Sequence, residues 1–411
     1  MSTLFNGNCL DQLKNLEANS IDSIVCDPPY GLSFMGKKWD YDVPSMAIWR
    51  ECLRVLKPGG HLLSFGGTRT YHRMVVNIED AGFEIRDQVQ WIYGSGFPKS
   101  HDASKGIDSM NGAERKVIGT HKNGAGNKKA LGFDTASDND TGENFKEVKI
   151  TAPSTEAAKQ WAGWGSALKP ANEPVCMARK PFDGPIAENL VRHGTGALNI
   201  DETRIGNEKR SYTVNGAIKG NNFGNKATQP ARERETVFAE GRWPSNVIMD
   251  EEAAKLLGEA QRFFYVAKPG KKERDHGLED MPAKKNHTRL GSGLGNTPAI
   301  DGVRATAEKN FHPTVKPVAL MGYLIKMVTP KNGTVLDPFM GSGSTGVAAN
   351  KLGFNFVGVE LSPEYFEIAK ARIAKATRIL EMPSDRVRAK ASWALAKKKL
   401  MKSKRAKSLT R

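Results

Sequence analysis

The stretch from Gly333 to Glu360 restricts the fold more than any other part of the chain. Gly333-Thr334-Val335-Leu336 is a short apolar run that reads as a buried strand, and it stops at Asp337. Pro338-Phe339-Met340-Gly341-Ser342-Gly343 follows as a glycine-rich turn, and Thr345 to Leu352 as a helix. Asn355-Phe356-Val357-Gly358-Val359 is a second strand, ending at Glu360. Strand, glycine turn, helix, strand and acid form the βαβ logic of a nucleotide-binding half, which requires a parallel sheet around it. The glycines let the backbone approach a ligand closely, and the helix N-terminus favours a carboxylate or phosphate. Glu360 lies about twenty residues past the turn, where an acid accepts both ribose hydroxyls. The turn is not G-x-G-x-x-G, and it lacks the Lys-Ser/Thr of a phosphate-binding loop. Asp337 also places a negative charge where a pyrophosphate would be repelled. These features suit a ligand with a cationic amino group beside its ribose better than they suit NAD or ATP.

A second acid ends a second short strand. Ile21-Asp22-Ser23-Ile24-Val25-Cys26 is apolar enough to be buried, and Asp27-Pro28-Pro29-Tyr30 follows it. Two consecutive prolines can neither continue the sheet ladder nor begin an ordinary helical turn at the first of them. The chain leaves the sheet in a stiff, extended form that displays the Asp27 carboxylate, the Pro28 carbonyl and the Tyr30 ring together. Two acceptors and an aromatic face are the parts needed to hold an exocyclic amino group and stack the base that carries it. Taken alone, the four residues are also compatible with a plain proline turn.

Between the two acids the pattern alternates. Leu10, Leu13 and Leu16 suggest a short helix, and Met46 to Leu56 a longer one stopped by Lys57-Pro58-Gly59-Gly60. His61–Phe65 reads as a strand, Tyr71–Ala81 as a helix and Val89–Tyr93 as a strand, an order that predicts parallel pairing through crossover helices. The segment 31–42, with Phe34, Met35 and Trp39, reads as a loop over a site. Regularity lapses over 94–150 and again over 181–310, where basic and aromatic residues interleave as on a nucleic-acid surface. Ala171–Arg179 is strand-like, as is Arg262–Val266, and Glu251–Glu259 is helical. Val318, Met321, Leu324, Ile325 and Val328 mark a helix after Pro317, and Ser362 caps a last helix through about Arg378.

The 411 residues carry 61 Lys and Arg against 45 Asp and Glu, a formal charge of +16 that implies an anionic partner. Part of the excess is a tail with no acid after Asp385. Cys9, Cys26, Cys52 and Cys176 have no C-x-x-C spacing, and His61, His72, His193, His276 and His312 have no ligand spacing. No disulfide framework and no metal are expected, and Cys26 reads as core. With no membrane-length apolar run and no signal-peptide pattern, the expected setting is a reducing cytoplasm.

Together these strings resemble the β group of amino-directed DNA methyltransferases, in which the D-P-P-Y motif comes first, a target-recognition region second and the cofactor motifs last. Asp27–Tyr30 and Asp337–Thr345 stand in that order, with His312-Pro313-Thr314-Val315-Lys316-Pro317 before the second. Leu56–Gly60, Lys169–Pro174 and Arg262–Lys268 match too, so the resemblance covers roughly residues 1 to 380. It implies a Rossmann-like α/β fold in permuted order. Residues 1–180 would be the catalytic half with a polar insertion at about 94–150, 181–310 the target-recognition region, 311–380 the cofactor half and 381–411 a basic tail.

The resemblance implies transfer of a methyl group from S-adenosylmethionine to N6 of a flipped-out adenine in duplex DNA, leaving S-adenosylhomocysteine and using no metal. Asp27, Pro28, Pro29 and Tyr30 would be catalytic. Asn8, Cys9, Thr314, Lys316, Asp337, Pro338, Phe339, Gly341, Gly343 and Glu360 would bind the cofactor, with Thr314 and Lys316 on its carboxylate and Glu360 on its ribose. The family's usual Gly-Asp near the N-terminus is Gly7-Asn8-Cys9 here, which keeps hydrogen-bonding capacity and loses the charge. Partners are double-stranded DNA and, as an option, a second copy of the chain. N4-cytosine transfer is the nearest alternative, although Asp rather than Ser in the first motif position favours adenine. A silent DNA-binding protein is opposed by the intact Asp27, Tyr30, Asp337 and Glu360. RNA or protein-amide transfer is opposed by Asp27 and the long basic middle region.

Overall fold

The structure, a computed structural model, describes residues 1–33, 38–94, 96, 100–123, 146–214, 235–267, 273–282, 284–285 and 307–376. The basic tail, Phe34, Met35 and much of the expected 94–150 insertion lie outside the described residues.

Among the described residues, nine strands build one mixed sheet. In chain order they are β1 (Ser2–Asn6), β2 (Ile21–Cys26), β3 (Leu56–Phe65), β4 (Glu84–Ile92), β5 (Asn172–Arg179), β6 (Val247–Asp250), β7 (Tyr265–Ala267), β8 (Thr334–Asp337) and β9 (Asn355–Glu360). Across the sheet the order is β1-β9-β8-β2-β3-β5-β4-β6-β7. Every pairing is parallel except those of β5, which runs antiparallel to both β3 and β4.

Successive strand residues point to opposite faces, so both faces of the sheet need cover. Helices α1 (Cys9–Leu13), α2 (Met46–Val55) and α3 (Tyr71–Asp80) cover one face. There Leu13, Trp49, Cys52, Val55, Met74 and Ile78 join a core with Ile24, Leu62 and Leu336. Helices α4 (Val318–Val328), α5 (Ser344–Leu352) and α6 (Pro363–Lys375) cover the other, with Val25, Leu63, Val335 and Phe356 in their core. The apolar runs at 21–26 and 334–337 are continuous rather than alternating because these central strands are buried on both sides. This is a Rossmann-like α/β fold. No helix among the described residues is long and apolar enough to cross a membrane.

The topology places the site. From β8 the chain passes through α5 to β9 on one side, and from β2 through α2 to β3 on the other. The strand order therefore reverses between β8 and β2, which pair directly through Val335↔Ser23 and Leu336↔Ile24. At such a switch point the two crossovers diverge and leave a crevice beyond the strand carboxyl ends. Asp337 ends one of these strands and Asp27 follows the other, so segments some three hundred residues apart meet on one rim.

The structure departs from the expectations in four places. The string Lys57-Pro58-Gly59-Gly60 lies inside β3 rather than ending a helix. The helix stops at Val55, and the extra residues form an irregularity opposite Ile21 and Ser23, with Gly59 at φ +80° and its N–H donated to the Lys180 carbonyl. The sheet is not wholly parallel, because β5 separates β3 from β4. The described part of 94–150 is also ordered structure. A helix at Ala103–Met110 and paired strands at Val117–Asn123 and Lys146–Thr151 are held by the buried Asp108, which accepts from Arg115 at 2.6 Å. The stretch 181–310, expected to serve target recognition, also supplies β6 and β7 to the main sheet.

Candidate active site

A cavity of about 760 Å³ opens at the switch point. Its walls include Asn8, Cys9, Asp27, Pro28, Pro29 and Tyr30 from the N-terminal part of the chain. Thr314, Lys316, Asp337, Pro338, Phe339, Gly341 and Glu360 come from the C-terminal part. The structure thus brings together every site residue expected from sequence except Gly343. That glycine has a left-handed φ of +81° at the start of α5, and a Cβ there would lie 3.0 Å from the Ala369 side chain. Its absence of a side chain serves the packing of α5 on α6.

One end of the cavity is built from backbone donors and buried acids. Glu360 Oε2 accepts the Gly341 N–H at 2.8 Å and Oε1 the Ser362 N–H at 2.8 Å. Asp337 Oδ1 accepts the Phe339 N–H at 3.0 Å and Oδ2 the Thr345 hydroxyl at 2.6 Å. Burial pushes the Asp337 carboxyl up to about 7, against these two hydrogen bonds and with help from the charges of Asp27 and Glu360. Burial likewise raises Glu360 to about 7, opposed by its backbone donors. Gly341 has φ +52°, and a Cβ there would meet the His312 imidazole at 2.9 Å, so the turn needs glycine for conformation and for space. His312 is itself fixed: Nδ1 lies 2.7 Å from the Thr314 carbonyl, and the ring stacks on Trp39 and meets Tyr365 edge-on. Arg274 donates to the Asn310 and His312 carbonyls at 3.1 and 2.8 Å, clamping the approach to Thr314. Asn8 caps α1 by accepting the Leu10 N–H at 2.9 Å, and burial pushes the Cys9 thiol up to about 11.

The other end is organised around an ammonium. Lys316 Nζ lies 2.7 Å from Asp27 Oδ2, 3.1 Å from Glu173 Oε2 and 3.2 Å from the Tyr30 oxygen. The Tyr30 hydroxyl lies 2.8 Å from both Asp27 Oδ1 and Glu173 Oε2. Burial works against the charge of Lys316, but the two carboxylates outweigh it and hold the ammonium above the ordinary lysine range. The resemblance implies Lys316 on the cofactor's carboxylate; in this structure its head group pairs with Asp27 and Glu173. Asp40 braces the loop behind these groups, accepting the N–H groups of Tyr30, Gly31 and Leu32 at 2.6, 3.0 and 3.2 Å. Thr70 donates its hydroxyl to the Tyr30 carbonyl at 2.5 Å. Trp91, Tyr93, Pro170 and Asn172 complete this end.

The motif strings did not give Asp40 or Glu173 a role. Asp40 sits among Lys37, Lys38 and Trp39 in what reads as a polar loop, and no spacing rule ties it to Tyr30. Glu173 lies at the head of a strand whose antiparallel direction only the pairing reveals. That direction turns its amino end to the rim where the parallel strands end.

Fold and site together define a nucleotide-cofactor enzyme whose second acid faces a separate, aromatic-walled end of the same cavity. Residues 21–371 match the DNA methylase family N6_N4_Mtase, and the chain belongs to that family. It is an amino-directed DNA methyltransferase of the N6-adenine or N4-cytosine type. The chain is 22% identical over 417 residues to the type II methyltransferase M.HindIII of Haemophilus influenzae, covering 90% of this chain and 94% of that one. It is 35% identical over 102 residues to M2.MboI of Moraxella bovis, a quarter of this chain and 37% of the relative. Among solved structures it is similar to the M1.HpyAVI complex with S-adenosylmethionine (TM-score 0.38, 16% identity, covering 91% of this chain and all of that one). It is also similar to the cytosine-N4-specific PvuII DNA methyltransferase (TM-score 0.44, 14% identity, 90% and 86% covered).

Proposed function

We propose that the protein transfers a methyl group from S-adenosylmethionine to the N6 amino group of an adenine flipped out of duplex DNA. The observation that carries this reading is the junction of Asp27–Tyr30 and Asp337–Glu360 in one cavity at the switch point. The residues present fit the cofactor. Glu360 offers carboxylate oxygens for ribose hydroxyls, the buried Asp337 offers negative charge to a cation, and Ile48, Phe339 and Leu361 provide apolar wall. When bound, S-adenosylmethionine supplies an electrophilic methyl group.

The chain's own part is to present the nucleophile. A base inside a duplex cannot reach a cavity behind this rim, so it must leave the stack. The Asp27 carboxylate and the Pro28 carbonyl accept the two N6 hydrogens, which draws the nitrogen toward tetrahedral character and frees its lone pair. Positive charge grows on that nitrogen beside Asp27, where a preorganised carboxylate stabilises it. The proton released from the nitrogen passes to Asp27 and on to water. No covalent base adduct is formed, in keeping with Cys26 lying fully buried in the core before the acid. Tyr30 and the neighbouring Trp91 and Tyr93 form the aromatic surround of the base, and basic residues of 181–310 supply phosphate contacts.

Tritiated S-adenosylmethionine incubated with the protein and varied unmethylated duplex DNA tests the reading. Label is expected on adenine after digestion to nucleosides. Label on cytosine selects N4 transfer, and no label despite measured cofactor binding overturns the enzymatic reading.

A further inference from the structure

The transfer end of the cavity contains an acid that the D-P-P-Y chemistry does not use. Glu173 is presented by the head of β5, and its Oε2 reaches both the Tyr30 hydroxyl at 2.8 Å and Lys316 Nζ at 3.1 Å. Lys316 in turn lies 2.7 Å from Asp27. One ammonium therefore serves two carboxylates. All three side chains are well shielded, with relative exposures of 8% for Lys316, 19% for Asp27 and 20% for Glu173, so their charges act on one another strongly. The phenol has a single proton and can donate it to one of the two acids at a time, while Lys316 donates to the phenol oxygen.

The charges decide what this arrangement does. Asp27 and Glu173 each contribute −1 and Lys316 contributes +1, which leaves a net −1 facing the place where positive charge develops on the amino nitrogen. With Glu173 neutral, Lys316 would cancel Asp27, and the carboxylate would face the reaction as half of a closed ion pair. With Lys316 absent, two carboxylates would be left adjacent and uncompensated, and the Tyr30 hydroxyl would lose its donor.

We propose that Glu173 is a positioning residue for methyl transfer: it shares Lys316 with Asp27, so that the ammonium fixes Asp27 and Tyr30 in place without cancelling the negative charge that faces the target amino group. The proposal rests on the methyl-transfer reading above. A simple structural brace between β5 and the Tyr30 loop would use the same contacts, but it predicts a different response to removing charges in pairs.

The test measures single-turnover transfer at saturating S-adenosylmethionine on bacterial genomic DNA amplified in vitro, which carries no methylation, together with cofactor affinity by calorimetry. Glu173→Gln keeps the shape and removes the charge. It should slow transfer by about 100-fold, the scale of one lost preorganised electrostatic contact, while cofactor affinity stays within about threefold. Adding Lys316→Gln to Glu173→Gln should then recover part of the lost rate, because Asp27 regains its uncancelled charge; Lys316→Gln alone should slow the wild type. A brace predicts further loss in the double variant, and that result overturns the proposal. Wild-type transfer with Glu173→Gln at full rate overturns it as well. If Glu173→Gln does not fold, Glu173→Asp carries the test: it keeps the charge and should slow transfer by about tenfold with cofactor affinity unchanged, and transfer at the wild-type rate contradicts the proposal. A wild-type protein that binds cofactor and transfers nothing overturns the methyl-transfer reading and this inference with it.

Discussion

The two ends of the cavity each contain a pair of carboxylates, and they treat the same functional group in opposite ways. Asp337 and Glu360 are held by backbone N–H groups and a threonine hydroxyl, and burial pushes both up to about 7. Asp27 and Glu173 are held by an ammonium and a phenol. An acid satisfied by neutral donors in a buried site is poised to change its charge when a cation arrives. An acid beside a buried lysine has its counter-charge built into the fold before any ligand arrives. The first arrangement suits reversible binding of a cationic nucleoside, and the second suits a reaction in which the charge must already be in place.

The largest effect that could break this contrast is at Asp27. Asp27→Ala should reduce transfer by on the order of 1000-fold and leave S-adenosylmethionine affinity largely intact, measured as transfer rate against calorimetric affinity. An equal loss of both would make Asp27 part of the cofactor site. Glu360→Ala should do the reverse, weakening cofactor binding by roughly 10- to 100-fold, the range for losing a hydrogen-bonded charge, with a smaller change in the rate at saturation.

pH sharpens the same comparison. The ordinary values of Asp337 and Glu360 are 3.8 and 4.5, and both rise to about 7 in the fold. The stability they contribute is therefore complete below their unfolded values and is lost as pH rises through about 7. Cofactor binding has the opposite sign, because it requires the ionised forms. Affinity should tighten from about pH 6 to 8, by up to ~10-fold per unit for each proton released, and Asp337→Asn should flatten that slope. Titration calorimetry in buffers of different ionisation enthalpy reads the proton release directly. The smallest expected effect is at the brace. Asp40→Ala strands three N–H groups of the Tyr30 loop and should cost about 1–3 kcal/mol of stability in thermal unfolding, with slower transfer and unchanged cofactor affinity.

Much of this site was legible before any coordinates. β2, β8 and β9 are short apolar runs ending in an acid, and a run of that kind has few solutions other than a buried parallel strand with the acid on its rim. The glycines at 341 and 343 marked a turn, although only the packing shows that Gly341 serves the cavity and Gly343 the helix pair behind it. The Asp27–Asp337 junction follows from the direct pairing of β2 with β8. What stayed hidden depends on pairing between distant segments. β6 is four residues long, too short for periodicity to set it apart from a polar loop, and of the strand expected at Arg262–Val266 only the end from Tyr265 is strand, as β7, while Arg262 and Phe263 lie in a 3-10 turn. The direction of β5 leaves no mark in its composition, and with it the role of Glu173 was lost. Lys57-Pro58-Gly59-Gly60 carries every local sign of a helix stop, but Lys57 pairs with Asp22 at 2.6 Å and the chain continues as β3.

Methylation-aware sequencing of DNA from cells expressing either the wild-type chain or Asp27→Ala tests the central claim most directly. The account predicts N6-methyladenine at one recurring sequence with the wild type and none with the variant. Modified cytosine in the wild type, or modification that persists in the variant, would contradict it.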